Sequence, residues 1–197
     1  MTASFLFLGG DISLDLVNTR LHRQQPGGAD DLLLTSDDAR AWLQAAGLAS
    51  AEDLAALDGD SLLYGARRLR SALEGLYRPL AIDGVSQPGP CLATLNAVLA
   101  QARERSELAL TPGGYALMRR TEFLGPPDPN VQVAQAAAAL LHRLKPHRLR
   151  KCENPDCDLL FYDESRNGTR RWCSMQGCGN ADKQARYRRA RRAKPAG

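Results

Sequence analysis

The sequence has no long apolar run. Among its 197 residues, no hydrophobic stretch approaches the roughly 20 residues that a membrane-spanning helix needs. The first residues, MTASFLFLGGDISLDL, carry no positive charge ahead of their apolar part and soon reach an aspartate. This is not the pattern of a secretory signal peptide. We therefore expect no membrane partner, and we expect the protein in the cytoplasm, where thiols stay reduced.

Aromatic residues and histidines are scarce as well. Aromatics make up 6% of the chain, and it has three histidines. We find no nucleophile beside a base, no glycine-rich phosphate loop and no catalytic metal motif. We therefore predict that the protein is not an enzyme. Its 44% hydrophobic and 24% charged residues are typical of a globular protein that needs no disulfides.

The formal net charge of +4 hides two regions of opposite sign. Residues 1–142 hold 11 Lys and Arg against 16 Asp and Glu, whereas residues 143–197 hold 15 against 6. An acidic body followed by a basic unit indicates two modules, and the basic one is a candidate for binding a polyanion. Composition changes at Lys145-Pro146 from alanine and leucine to cysteine and arginine. We therefore predict domains at residues 1–145 and 146–197.

The N-terminal domain is predicted to be mostly helical with a few short strands. DISLDLVNTRL fits either a strand or a helix, and we favour a helix that follows a short strand. SDDARAWLQAAGL predicts a helix with Ser36 as its N-cap, and Ser50 opens another through a capping-box pattern. DSLLYGARRLRSALEGLYRPL predicts the main core helix, which should end near Pro79 and Gly84. Its apolar stripe consists of Leu62, Leu69, Leu73 and Leu76.

The rest of this domain alternates helix and strand patterns. CLATLNAVLAQARERS predicts a helix, and ELALTPGGYALMRR predicts two short strands about a Pro-Gly-Gly turn. VQVAQAAAALLHRL predicts an alanine-rich helix with Asn130 as its cap. The whole chain is thus predicted to be of the α+β class, with this mostly helical domain followed by a small β-hairpin and a helix at the C-terminal end.

Four of the five cysteines form two pairs of the type C-x4-C, with fifteen residues between the pairs. Two short loops that each carry two thiolates are the usual way to build a tetrahedral zinc site. Two disulfides would need an oxidising compartment, and the symmetric spacing is less suited to an iron-sulfur cluster. Sulfur would fill all four positions, so we predict one structural zinc. Its ligands are Cys152, Cys157, Cys173 and Cys178.

A hairpin is predicted between the two cysteine pairs. Asn167-Gly168 is a strong turn signal, with apolar residues 159–162 on one side and residues 170–172 on the other. Phe161 and Trp172 should form a small core beside the metal, and zinc binding should supply most of the folding free energy of this unit. The alternative is that these aromatic residues stack on nucleic-acid bases.

A basic helix follows the last cysteine. Asn180 can cap it, Asp182 suits its first turn, and seven Lys and Arg lie between Lys183 and Lys194. Ala181 and Ala185 share a face that can pack on the zinc unit. A helix of this charge is suited to a phosphate backbone or a major groove, whereas the alternative is a solvated tail. The candidate DNA contacts on it are Lys183, Arg186, Arg188, Arg189 and Arg192.

Residues 152–192, with FYDESRNGTRRWCSM followed by CGN, resemble the CGNR zinc finger of bacterial proteins. The stretch FLGGDISLDLVNT resembles the opening motif of the ABATE domain, which precedes that finger in a family regarded as stress-induced transcription regulators. The resemblance implies the same four zinc cysteines, and it places Arg166, Arg170 and Arg171 on the motif before Cys173. The chain departs from the family at Ala181, where the motif has arginine.

We therefore expect a transcriptional regulator that binds double-stranded DNA in the nucleoid through the zinc unit. An RNA-binding or ribosome-associated factor is one alternative, because Phe161, Tyr162 and Trp172 could stack on unpaired bases. A zinc-stapled protein-interaction module is the other. The N-terminal domain would sense a small-molecule effector or form a homodimer. Asp15 and Asn18 are its candidate ligand contacts, or else they brace the fold.

Overall fold

The computed structural model describes residues 5–21, 30–85 and 88–192, with the side chains of Asp30 and residues 190–192 left outside that description. Its helices are α1 (Ile12–Val17), α2 (Ser36–Ala45), α3 (Ala51–Ala55), α4 (Gly59–Asp83), α5 (Gly89–Leu99), α6 (Asn130–Arg143) and α7 (Asn180–Arg192). Its strands form three antiparallel pairs: β1 (Arg20–Leu21) with β2 (Asp30–Asp31), β3 (Ala102–Thr111) with β4 (Gly114–Phe123), and β5 (Leu149–Lys151) with β6 (Leu160–Tyr162). None of the helices in these ranges has both the length and the apolar character needed to cross a bilayer.

Helix α4 is the centre of the fold, and its sequence explains both its ends and its burial. The Asp58 side chain accepts a hydrogen bond from Ser61 N, and Gly84 ends the helix in the left-handed region with φ +69°. The predicted leucine stripe is confirmed, because all four leucines are buried. Pro79, however, lies inside the helix, since packing of the last turns against the core outweighs one lost hydrogen bond.

The shorter helices confirm most of the expected boundaries and correct several of them. Helix α1 is confirmed, and the described residues 5–11 before it form no strand. Ser50 forms the predicted capping box with Asp53. The N-cap of α2 is Thr35 and not Ser36, because Thr35 makes the reciprocal pair with Asp38. Asn130 is not a side-chain cap either. Its backbone N–H donates to Asp128, and its side-chain amide donates to the Leu62 carbonyl.

The predicted helix over residues 91–106 ends at Leu99, and a strand begins at Ala102. The residues that follow, charged in the first half and apolar in the second, form a ten-residue strand paired in full register with its partner, from Ala102 opposite Phe123 to Thr111 opposite Gly114. The predicted turn is confirmed, but the strands are much longer than expected. Alternating cross-strand ion pairs favour this extended pairing over the helical alternative.

The C-terminal lobe, residues 146–192, packs directly on the helical part. Leu149, Leu160 and Tyr162 belong to the same buried cluster as the leucines of α4. The Tyr162 N–H donates to the Gly9 carbonyl at 2.8 Å, so the edge of β6 continues into the N-terminal segment. The mostly helical α+β architecture with a hairpin and a C-terminal helix is confirmed, and one core joins its two parts.

Candidate metal centre and basic surface

The four predicted ligand cysteines come together in space. All four Sγ atoms lie within 4.8 Å of one another. Cys173 Sγ is 3.8 Å from Cys157 Sγ and 3.6 Å from Cys178 Sγ. In a tetrahedral site with Zn–S bonds of about 2.3 Å, neighbouring sulfur atoms are roughly 3.8 Å apart. The cluster therefore fits one zinc ion, and with sulfur at every position the ion would be structural.

Local structure around the hairpin presents these sulfur atoms. Cys152 follows β5 directly and Cys157 lies shortly before β6, so the loop of the hairpin carries the first pair. Cys178 lies in a π-helical turn, Met175–Gly179, which begins where the Ser174 side chain accepts a hydrogen bond from Gly177 N. This turn leads without a break into α7, so the second pair is attached to the basic helix.

The electrostatics of the cluster require a cation for full ionisation. Hydrogen bonds from Cys157 and Cys173 lower the pKa of Cys152 well below its usual range. The same hydrogen bond to Cys152 raises the pKa of Cys157. Without a metal the cluster therefore favours one thiolate that its neighbours stabilise. A divalent cation lets the other thiols ionise as well, because its charge replaces the protons that they share.

A small core supports the metal site. Phe161 is fully buried with Leu159, Cys152 and Cys173, and Trp172 packs half-buried against them. This confirms the predicted core beside the metal. Tyr162 is buried in the main core, with its hydroxyl oxygen 3.3 Å from Lys145 N. Phe161 and Tyr162 therefore cannot stack on nucleic-acid bases in this fold.

The predicted pairing of residues 159–162 with residues 170–172 is wrong, since β6 pairs with β5. The turn at Asn167-Gly168 does form, with Gly168 at φ +61° and its N–H donating to the Ser165 carbonyl. Residues 170–172 do not pair with β6 because side chains bind the backbone groups that follow this turn. The carboxylate of Asp163 accepts the Arg170 N–H, and Arg150 donates to the carbonyl groups of Gly168 and Arg170.

Arg170 joins the metal loop to the N-terminal segment. Its guanidinium donates to the carbonyl groups of Trp172, Leu8 and Cys173. It also lies over the Phe161 ring, with Cζ 4.2 Å from the ring centroid. The side chain is half-buried. These contacts occupy the guanidinium within the protein, so Arg170 positions the metal loop.

Asp15 and Asn18 also make contacts within the protein. The Asn18 amide donates to the Leu160 carbonyl and accepts from the Leu160 N–H, both at 2.9 Å. The Asn18 side chain thus binds the backbone N–H and C=O of Leu160 in β6, as the backbone of a neighbouring strand would. Asp15 accepts the Gly9 N–H at 2.7 Å and is 6% exposed. The interpretation that these residues brace the fold accounts for both sets of contacts.

The burial of Asp15 predicts a pH-dependent stability difference. Burial raises its pKa from 3.8 to about 6, and the N–H groups of Gly9 and Leu8 oppose part of that shift. A carboxyl whose pKa is raised by folding stabilises the fold less as pH rises from about 4 to 6, because the unfolded chain ionises first. Asp15→Asn removes this ionisation. Relative to wild type, we expect the variant to gain about 2.4 kcal/mol of unfolding free energy between pH 4 and pH 7.

Urea unfolding of both proteins at several pH values measures this difference. The zinc thiolates titrate in both proteins, so their contribution cancels in the comparison. A difference between the two unfolding free energies that stays constant with pH would contradict the prediction.

The other candidate DNA contacts lie at the surface of the lobe. Arg166 is exposed in the loop after β6, and Arg171 is exposed beside Trp172 with an ion pair to Glu153 at 2.6 Å.

On α7, Arg186 pairs with Asp182 at 2.9 Å. Ala181 is exposed, so it does not pack on the lobe as predicted, whereas Ala185 is half-buried. The Arg192 side chain lies outside the described residues. Exposed basic side chains on α7 are Lys183, Arg186, Arg188 and Arg189.

Sequence reasoning missed Arg148, Arg150 and Asp163. Arg148 donates to the carbonyl groups of Asp163 and Ser165, and Asp163 is fully buried. An aspartate directly after the apolar run Leu-Leu-Phe-Tyr is the one signal that could have revealed this loop. The partners of the two arginines are backbone carbonyl groups. Every residue has one, so the sequence does not indicate which of them an arginine will bind.

Two family models match the chain. The model of the ABATE family, described as "Putative stress-induced transcription regulator", matches residues 10–143. The model of the CGNR zinc finger matches residues 148–192. Both agree with the sequence resemblance, and the second supports zinc as the metal of the cysteine cluster. No curated protein matches the chain.

Proposed function

The chain belongs to the ABATE family and carries a CGNR zinc finger, and on this premise we propose that it regulates transcription by binding double-stranded DNA through the C-terminal lobe. The observation that carries the proposal is the attachment of α7 to the fourth zinc ligand. Four exposed basic residues follow among the side chains of this helix that the structure describes, and Asp182 is the one acidic residue in its sequence. A basic helix that is fixed to a metal site at its N-terminal end is suited to contact phosphate groups at a groove of duplex DNA.

Burial of Phe161 and Tyr162, two of the three residues expected to stack on unpaired bases, favours duplex DNA over single-stranded RNA. Proteins that read unpaired bases commonly stack them on exposed aromatic rings. Phe161 is 0% and Tyr162 6% exposed, and Arg171 lies 4.8 Å above the Trp172 ring. The rings of the hairpin are thus shielded, and the exposed ring of the lobe, Tyr187 on α7 at 64%, lies among exposed cations.

The arginines of the proposed DNA surface differ in what they can contribute. Arg166 and the basic residues of α7 are exposed, so their charges can reach phosphates directly. Arg171 would have to break its ion pair with Glu153 before it could bind a phosphate. Arg170 would hold the loop in place through its internal hydrogen bonds without contacting DNA. For the helical part we retain the proposal of a small-molecule effector. Its contacts would come from residues other than Asp15 and Asn18, because both of these bind the backbone.

A binding experiment with paired variants tests the proposal. Arg188→Gln with Arg189→Gln removes two charges from α7, and Arg68→Gln with Arg105→Gln removes two exposed charges elsewhere. We expect the α7 variant to bind duplex DNA at least about tenfold more weakly near 150 mM salt. Its plot of log affinity against log salt should be shallower by about 0.9 for each lost phosphate contact. Fluorescence anisotropy with labelled duplexes across a salt series measures both quantities.

The control variant should bind duplex DNA as the wild type does. Ala181→Arg restores the family residue at an exposed position of the first turn of α7, and it should tighten binding. Equal losses in the two double variants would contradict the proposal, because the effect would then follow net charge alone. Equal affinity for duplex DNA and single-stranded RNA of the same length would contradict the choice of DNA.

A further inference from the structure

The antiparallel ribbon formed by β3 and β4, residues 102–123, projects from the body of the protein. Most of its residues are exposed, and no third strand pairs with it among the described residues. It is anchored at its base, where Ala102 and Phe123 pack against the core and Leu124 N donates to the Gln101 carbonyl. The far end of the ribbon lies several residue pairs beyond this base.

The far end of the ribbon is apolar on one face. The register places Leu108 opposite Leu117 and Leu110 opposite Tyr115, and these two pairs share a face because side chains alternate along a strand. Their exposed fractions are 65%, 65%, 78% and 79% in that order. The intervening pair on the opposite face is Ala109 with Ala116. We call the four large residues, Leu108, Leu110, Tyr115 and Leu117, the apolar tip.

An exposed apolar tip on a two-stranded ribbon is the kind of surface that a protein partner covers. An isolated two-stranded ribbon is at best marginally stable in water, and its unpaired edges invite association. Three leucines and a tyrosine at this exposure offer on the order of 400 Å² of apolar surface. Patches of this size on soluble proteins commonly mark contacts with another protein.

The charges of the ribbon point to a second copy of this chain. Nearer the base, three cross-strand ion pairs join Arg103 to Glu122, Arg119 to Glu104 and Arg120 to Glu107. Most of the ribbon charge is therefore paired within one copy. A nucleic acid or a strongly charged partner would require a net field of one sign. Two identical surfaces can associate only where their charges do not repel each other. The ribbon satisfies this condition because most of its charges are paired within one copy.

We propose that the apolar tips of two copies pack against each other and form a symmetric dimer. A two-fold interface uses the same patch on both subunits, so each tip supplies the apolar surface that covers the other. Two tips together with their polar flanks approach the roughly 1,200 Å² at the lower end of specific interfaces. An interface of this size gives an association that depends on concentration.

Complementary charge variants test this dimer. Leu110→Glu with Leu117→Glu makes an acidic tip, and Leu110→Lys with Leu117→Lys makes a basic tip. Each variant alone should be monomeric at concentrations where the wild type is dimeric, with the dimer dissociation constant raised at least about 100-fold. An equal mixture of the two should dimerise again, because opposite charges then face each other in any arrangement of tip on tip. Sedimentation velocity from about 1 to 200 µM measures the three samples.

A matched control is Leu34→Glu with Ile82→Glu, which charges two exposed aliphatic residues outside the ribbon and should leave the dimer intact. A wild-type monomer throughout this concentration range would overturn the proposal, as would loss of the dimer in the control. A mixture of acidic and basic tips that stays monomeric would overturn it too. The measurement contains no DNA, so its outcome is independent of the proposed DNA binding.

Discussion

Cys173→Ser should abolish zinc binding and lower the melting temperature of the whole chain by more than about 15 °C. The Cys173 Sγ lies 3.8 Å from the Cys157 Sγ and 3.6 Å from the Cys178 Sγ, so a metal ion bound by either of these cysteines is also within reach of Cys173. Zinc bound by structural cysteines contributes about 10–16 kcal/mol, which is comparable to the entire stability of an ordinary domain. Three remaining thiolates cannot supply the same free energy.

The effect should reach the helices because the two parts share a core. The sequence alone predicts that residues 1–145 stay folded when the zinc unit unfolds. In the structure, Leu149, Leu160 and Tyr162 lie in the cluster built on α4, and Asn18 binds Leu160 twice. Unfolding of the hairpin would expose that cluster and leave the Asn18 amide without its partners.

Cys91→Ser is the matched control for this substitution. Cys91 is half-buried in the first turn of α5, where its Sγ faces Gly75 of α4, outside the metal cluster. The control should retain one zinc per chain and melt within a few degrees of wild type. Elemental analysis and thermal unfolding followed by circular dichroism measure both properties. If Cys173→Ser kept its zinc, the ligand assignment would be wrong. If its helices melted at the wild-type temperature, the two parts would be energetically independent.

The features that the sequence predicted well depend on local spacing. Two cysteines five positions apart define a loop that can hold one metal, and leucines at helical spacing define the buried side of α4. Neither inference needs knowledge of a distant residue. The cap at Ser50 and the turn at Asn167-Gly168 are local in the same sense, and both are present.

The features that the sequence could not predict depend on contacts between distant segments. Strand β6 has an apolar pattern that suits several partners, and the choice of β5 follows from how residues 163–170 fold around Asp163. The bonds from Asn18 to Leu160 and from Arg170 to Leu8 cross more than a hundred positions of the chain. Nothing in the local sequence specifies such pairs, because the segments meet only when the domain has collapsed.

Arginine illustrates the same limit within a single loop. The stretch Glu-Ser-Arg-Asn-Gly-Thr-Arg-Arg offers three similar cations, and the sequence assigns all of them to DNA. In the structure Arg166 is exposed, Arg171 pairs with Glu153, and Arg170 is enclosed by carbonyl groups. The functions of these residues therefore differ, and substitutions should separate them.

Arg170→Ala should lower the free energy of unfolding by about 3–5 kcal/mol, whereas Arg166→Ala should change it by less than about 0.5 kcal/mol. The first substitution leaves the carbonyl groups of Leu8, Trp172 and Cys173 without their donor and removes the cation above Phe161. Arg170→Lys should recover little, because an ammonium group cannot reproduce the planar fork that serves these carbonyl groups together. Urea unfolding of the three variants with zinc bound measures these changes.

Affinity for duplex DNA should follow a different order from stability. Arg166→Ala removes an exposed charge, so it should weaken DNA binding while leaving unfolding unchanged. Arg170→Lys keeps the charge and disturbs the metal loop, so its main effect should appear in the unfolding free energy. If Arg170→Lys unfolded like wild type but lost DNA affinity, Arg170 would contact DNA directly, and the internal hydrogen bonds would not be its main role. If Arg166→Ala were the strongly destabilised variant, the division between the exposed and enclosed arginines would be wrong.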